Sequence, residues 1–199
     1  MSVNSSLVNN FSQWLLTQGL RQLSPLSEWL AEGRIRQLER DEFLLRAGDH
    51  YRSLYYIDSG LLRLFYTMPN GKERNKAFYS DPHLVGAVSA AITDRDAPFS
   101  IQALEPTCLL TLPYQPLMEL GKCSGEVAQL LIKLLSEAFV RNEQREAMLL
   151  TCNAQQRYQW LLTHEPLLLE RLPQHHIASY IGVDAVSLSR LKRKRQTQV

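Results

Sequence analysis

Residues 177–195 read IASYIGVDAVSLSRLKRKR. Small Ala178 is followed four residues later by Gly182, the residue type that takes a positive φ without steric cost. Asp184 then stands where a helix N-cap belongs. Leu188 and Leu191, three residues apart, share one face of the helix that follows. This is the spacing of two short helices crossed at a tight turn. At about 100° per residue the opposite face presents Val186, Ser189, Arg190 and Arg193, with Ser187, Lys192, Lys194 and Arg195 beside it. A basic run of this kind also describes a solvated terminus. The spacing of Ala178, Gly182, Leu188 and Leu191 separates the two readings, because a tail needs no buried leucines.

Charge agrees with a presented surface. From residue 171 onward six basic residues face one acid, a net charge of +5; the whole chain carries +2, so residues 1–170 carry −3. A chain that sets only one end against a polyanion has this asymmetry.

Upstream, Ser124 offers an N-cap, and after Gly125 neither Gly nor Pro recurs until Pro166. Val127, Leu131, Leu134, Ala138, Arg141, Arg145 and Met148 recur at three- and four-residue steps, which predicts a long helix over 124–152. One small core cannot cover such a helix, so part of its apolar stripe is expected to meet a second copy of the chain. Leu130, Leu135, Phe139 and Leu149 broaden the stripe.

Further upstream the character changes. Between Arg34 and Leu112 short strand-like runs are separated by Gly48-Asp49, Ser59-Gly60, Asn70-Gly71 and Glu105-Pro106, a spacing that suggests a small β-barrel or sandwich. In LLRLFYTMPNGKERNKAFY, Asn70-Gly71 is expected to supply the two positive φ angles of a tight hairpin turn. Residues 7–31 carry helical spacing, with Ser24-Pro25 opening a second helix. The fold class is therefore α+β: a jelly-roll-like β-roll with flanking helices over 1–123, a dimerisation helix over 124–152, and a helix-turn-helix over 153–199.

Composition excludes other classes. The N-terminus lacks a basic signal-peptide region, and the longest nearly apolar run, Leu84–Ile92, is far short of a membrane span, so a cytoplasmic location is expected. Cys108, Cys123 and Cys152 are dispersed and read as buried thiols. The five histidines form no HxH or HExxH pattern, and no GxSxG or P-loop occurs; SRLK at 189–192 is too short a match to a serine acyl-enzyme motif to carry weight. No catalysis, metal or cofactor is expected, and a cupin-like enzyme is the weaker alternative.

A β-roll with glycine turns, one long helix and a helix-turn-helix resembles the Crp/Fnr superfamily of bacterial transcription regulators. The resemblance spans about residues 30–195 and is carried by LLRAGDHYRSLYYIDSGLLRLFY, NGKERNKAFY and LPQHHIASYIGVDAVSLSRLKRK. It implies a homodimer joined through the long helix, with helix 185–194 in the major groove of a roughly palindromic double-stranded DNA operator. RNA polymerase and an unidentified small-molecule effector are further partners that the resemblance implies. Arg190 is the candidate for a bidentate contact with a guanine edge, Val186 and Ser189 face bases, and Lys192 and Lys194 meet phosphates.

This chain departs from the family at three points. The residues after Arg195, QTQV, leave no length for the usual β-hairpin wing, so some phosphate contacts are expected to be missing. Where family members often carry an Arg and an acid early in the recognition helix, Ala185 and Val186 stand here. Members that bind cyclic nucleotides carry a Gly-Glu pair and, about eleven residues after that Gly, an Arg on the cyclic phosphate. Here Gly86 is followed by Ala87 and Val88, and the Arg position is Ala97. Arg95 lies two residues early and reads either as a substitute or as an exposed residue paired with Asp94 or Asp96. Without a cation the phosphate has no charge to offset its desolvation, so control by cAMP is not expected. A small-ligand sensor with a degenerate DNA-binding end is the remaining alternative.

Overall fold

A computed structural model of the chain describes residues 3–50 and 52–196. The chain divides into two compact units, the first running to Tyr66 and over Phe78–Leu135, the second holding Thr67–Ala77 and the residues from Ser136 onward.

The first unit opens with α1 (Val3–Thr17), one 3-10 turn (Ser24–Leu26) and α2 (Ser27–Ala31). Then come β1 (Arg34–Leu38), β2 (Phe43–Leu45), β3 (Ser53–Ser59), β4 (Leu61–Thr67), β5 (Glu73–Ser80) and β6 (His83–Val85). Helix α3 (Val88–Thr93) precedes β7 (Ser100–Ala103), β8 (Thr107–Pro113) and α4 (Tyr114–Cys123). The strands form two four-stranded sheets, ordered β1-β8-β3-β6 and β2-β7-β4-β5, which is the expected β-roll. Ile57, Leu62, Leu64, Ile101, Leu109 and Leu112 are fully or almost fully buried in it. The amphipathic α1 adds an aromatic cluster: the Phe11 ring lies 4.5 Å from Tyr56 and 6.0 Å from Trp29, and Trp29 Nε1 donates to the Pro113 carbonyl at 2.8 Å.

The expected turns are present, with one correction. Gly60 has φ +114°, and a Cβ there would come within 2.7 Å of the Thr107 Cα, so both backbone and space demand glycine. At the β4–β5 hairpin only Gly71 takes a positive φ, and Asn70 does not. The Gly71 N–H donates to the Met68 carbonyl and the Met68 N–H to the Lys72 carbonyl, both at 2.8 Å. This is a three-residue loop with the left-handed residue last. Pro69 is the reason: its fixed negative φ suits the first central position of an ordinary turn starting at Met68.

Helix α5 (Gly125–Thr151) enters the second unit and is followed by α6 (Ala154–His164), α7 (Leu168–Arg171), α8 (Gln174–Ile181) and α9 (Ala185–Gln196). Ser124 caps α5 as expected, its Oγ accepting from the Val127 N–H at 3.4 Å. Compactness divides α5 between Leu135 and Ser136 and gives the hairpin tip Thr67–Ala77 to the second unit. Nor are the thiols uniformly buried: Cys123 ends α4 in solvent, while Cys108 and Cys152 are half-buried. Among the described residues no helix is long and apolar enough to cross a membrane.

Candidate nucleic-acid interface

Helices α8 and α9 take the form that 177–195 predicts. Pro173 precedes α8, and Gly182 ends it at φ +68°, with the Val183 N–H returning to the Ala178 carbonyl at 3.0 Å. Asp184 caps α9: its Oδ1 accepts from the Ser187 N–H at 2.8 Å and its Oδ2 from the Ser187 hydroxyl at 2.6 Å. These bonds, the hydroxyl's foremost, hold the Asp184 carboxyl below its ordinary value. A carboxylate at this end also opposes the positive end of the α9 dipole.

Leu188 is fully buried with Ile177, Ala178 and Ile181, and Leu191 is half-buried. The other face is open: Val186 is 61% exposed, and Ser189, Arg190, Arg193 and Lys194 are exposed as well. Ser187 and Lys192 are half-buried. The seven expected contact residues thus lie on one helix, five of them toward solvent. Lys194 Nζ reaches Gln155 Oε1, on α6, at 3.5 Å. The side chain of Arg195 and the residues from 197 on lie outside the described residues, and so does most of the expectation about the missing wing.

Two residues that support this surface escape the sequence reading. Asn153 caps α6 with a full capping box, exchanging bonds with Gln156 at 2.9 and 3.1 Å. Arg157 gathers carbonyls at helix ends, donating to Leu149 (2.7 Å), Cys152 (2.8 Å), Ile181 and Gly182 (3.3 Å each). It satisfies the orphan acceptors of α5 and α8 with one cation, as a positive group at helix C-termini should. Nothing in its Gln-Gln-Arg context marks it for this role.

The chain itself covers part of the α5 stripe. Val127 and Met148 are covered by their own chain. Arg141 donates to Glu165 Oε2 at 3.2 Å, and Arg145 to the carbonyls of Asn75 and Tyr180 at 2.8 and 2.9 Å. Leu131 and Leu134 are half-buried, and of the seven only Ala138 is exposed. The outward apolar residues of α5 are Ile132 (64% exposed), Leu135, Phe139 (62%), Val140 and, near its end, Leu150 (77%). The three- and four-residue steps found a face correctly but could not say which of two apolar faces the chain itself would cover.

In the roll, Ala87 stands at the N-cap position of α3, where it makes no side-chain bond, and both Ala87 and Ala97 are almost fully buried. Gly86 and Val88 are half-buried, and Arg95 is exposed. Asp94 pairs with Arg52, and Asp96 lies 3.4 Å from His50 Nδ1; the two carboxylates expected beside Arg95 thus face other side chains. One buried guanidinium of the roll, Arg63, donates to Gln102 Oε1 at 2.8 and 2.5 Å and lies over the Phe65 ring. These residues do not fit a cyclic nucleotide: where the resemblance places a glutamate and the phosphate-holding arginine stand the buried methyl groups of Ala87 and Ala97.

Comparison with known proteins agrees with this anatomy. Residues 35–122 match the cyclic nucleotide-binding domain model. The transcriptional activator protein Anr of Pseudomonas protegens is 31% identical over 136 residues, which is 68% of this chain and 54% of that protein. The chain thus spans about half the length of this relative. The structure of FixK2 from Bradyrhizobium japonicum superposes with a TM-score of 0.72 at 16% identity, covering 83% of this chain and 85% of that one. The global regulator CLP of Xanthomonas campestris, described as responsive to c-di-GMP, superposes at 0.69 with 18% identity, covering 89% and 93%. The β-roll, the shared helix α5 and the crossed helices α8 and α9, together with these relatives, place the chain in the Crp/Fnr family.

Proposed function

We propose that the chain is a DNA-binding transcription regulator that acts as a homodimer, sets α9 in the major groove of a roughly palindromic operator, and does so without control by cAMP. One observation carries this reading: Leu188 is sealed in the core while Val186, Ser189, Arg190 and Arg193 stand out from the same short, capped helix. Burying one face fixes the helix rigidly enough for the other to be read against base edges. Arg190 has the fork geometry that pairs with guanine O6 and N7, and Val186 offers an apolar surface to the bases. The names of the relatives, transcriptional activators among them, support the same reading.

The second copy docks on Ile132, Leu135, Phe139 and Val140 of α5, an apolar face that the chain leaves open. Dimerisation then sets two α9 helices about 34 Å apart along the duplex.

Selection of binding sites from random duplex DNA with the purified protein tests the proposal. The expected product is an inverted repeat with a guanine in each half-site. Recovery of sequences with no common element would reject it, leaving the small-ligand sensor as the reading to pursue. In the same preparation, calorimetric titration with cAMP and cGMP should show no binding in the micromolar range.

A further inference from the structure

We propose that Asn75, at the β4–β5 hairpin tip, and Arg145, on α5, are positioning residues for the DNA-reading helices, clasping α8 by its backbone. What the held helices do rests on the function proposed above; the clasp itself stands on the following contacts.

Asn75 is only 2% exposed. Its Nδ2 donates to the His176 carbonyl at 3.0 Å and lies 3.3 Å from His176 Nδ1, which can accept. Its backbone N–H donates to Ser179 Oγ at 3.0 Å, and that hydroxyl donates on to the Glu73 carbonyl at 3.1 Å. Arg145 NH2 bridges the Asn75 and Tyr180 carbonyls, with its guanidinium 4.6 Å from the Tyr180 ring centre. The Tyr180 hydroxyl donates to Glu165 Oε1 at 2.6 Å, and Glu165 also accepts from Arg141.

Three features separate a positioning device from ordinary packing. First, the bonds end on main-chain carbonyls and one short hydroxyl of α8, so they fix the helix backbone rather than a mobile side-chain end. The Tyr180 carbonyl lies in the last turn, where helical acceptors lack partners, and Arg145 supplies the missing donor. Second, among the described residues two buried atoms of the clasp, Asn75 Oδ1 and Arg145 Nε, have no hydrogen-bond partner. An arrangement that leaves polar groups unsatisfied is not the one that stability alone would select. Third, the elements that carry Asn75 and Arg145 each run on into the first unit, β5 through Phe78–Ser80 and α5 from Gly125 to Leu135.

The test uses the full-length protein with Asn75→Ala and Arg145→Lys, which keeps the charge but not the fork that bridges two carbonyls. Both variants should fold, dimerise and hold non-specific DNA like the parent. Their preference for the selected operator should fall about tenfold, the scale of one lost base contact. The distinguishing readout is spacing: both should accept operators whose half-sites have been moved by one base pair, while keeping the parent's base preferences inside each half-site. Arg190→Ala should do the reverse, losing base preference and keeping spacing. Unchanged spacing preference in both clasp variants overturns the inference. If the parent selects no operator, it is the proposed function that fails, and the clasp is then read by hydrogen exchange. Asn75→Ala should speed exchange of the α8 amides and leave β3 and β8 unchanged, whereas unaltered α8 exchange overturns it. Should Asn75→Ala not fold, Ser179→Ala removes the bridge from Glu73 to Asn75 and should give the same widening of spacing.

Discussion

The turn around α3 in the roll and the turn before α9 are both short, sharply bent and built on small residues, yet they offer different chemistry. Around α3, Ala87 and Ala97 are buried where the family resemblance places the glutamate and arginine of a cyclic-nucleotide site. Before α9, Gly182 is left-handed, Asp184 caps, Leu188 points inward and Arg190 outward. Turns of similar build can therefore carry unlike chemistry. Function has to be argued turn by turn, from side chains.

The comparison can be broken hardest at Leu188. Leu188→Ala removes a fully buried side chain and should cost about 2–5 kcal/mol of stability. It should also abolish operator binding outright, with denaturant melts giving the first quantity and gel shifts the second. If DNA binding survived a destabilised core, the open face of α9 would not depend on the buried one. Next comes the α3 turn: the double variant Ala87→Glu, Ala97→Arg restores the missing pair and should create cAMP binding that titration calorimetry detects, where the parent shows none. Failure of the repaired turn to bind would mean that the loss extends beyond those two positions.

A smaller effect is expected at Lys194. Lys194→Ala should weaken all DNA sequences about equally and lower the slope of log affinity against log salt by about one contact. The smallest concerns the Asp184 cap. Because its folded carboxyl titrates below the ordinary 3.8, the cap is fully present above that value and is lost as pH falls through the depressed one. Proton resonances of the first α9 turn should therefore change in strongly acidic solution, and Asp184→Ala should remove that transition while the β-roll signals stay as they were.

Much of this was legible in the residues because it is written in local rules. Turn glycines, the Ser124 and Asp184 caps and the Leu188/Leu191 spacing all act within a few positions, and the structure has each. The roll was legible as strands and turns, although Pro69 changed the turn at the hairpin tip. What stayed hidden depends on distant partners. Arg145 and Arg141 looked like members of an outward stripe because nothing local reveals that Asn75 and Glu165, 70 and 24 residues away, will receive them. Arg157 goes unmarked in the sequence because its four acceptors are helix ends defined only once the chain has folded. Ile132, Leu135, Phe139 and Val140 are as apolar as the residues that were covered, and which face stays open is decided by packing rather than by sequence spacing.

The most direct test of the central claim measures the affinity of the parent and of Arg190→Ala for the selected operator and for the same duplex with its half-site guanine replaced. The parent should lose about 1–3 kcal/mol on guanine replacement, and Arg190→Ala should bind both duplexes equally at the weaker level. An Arg190→Ala protein that still preferred the guanine duplex as strongly as the parent would contradict the account.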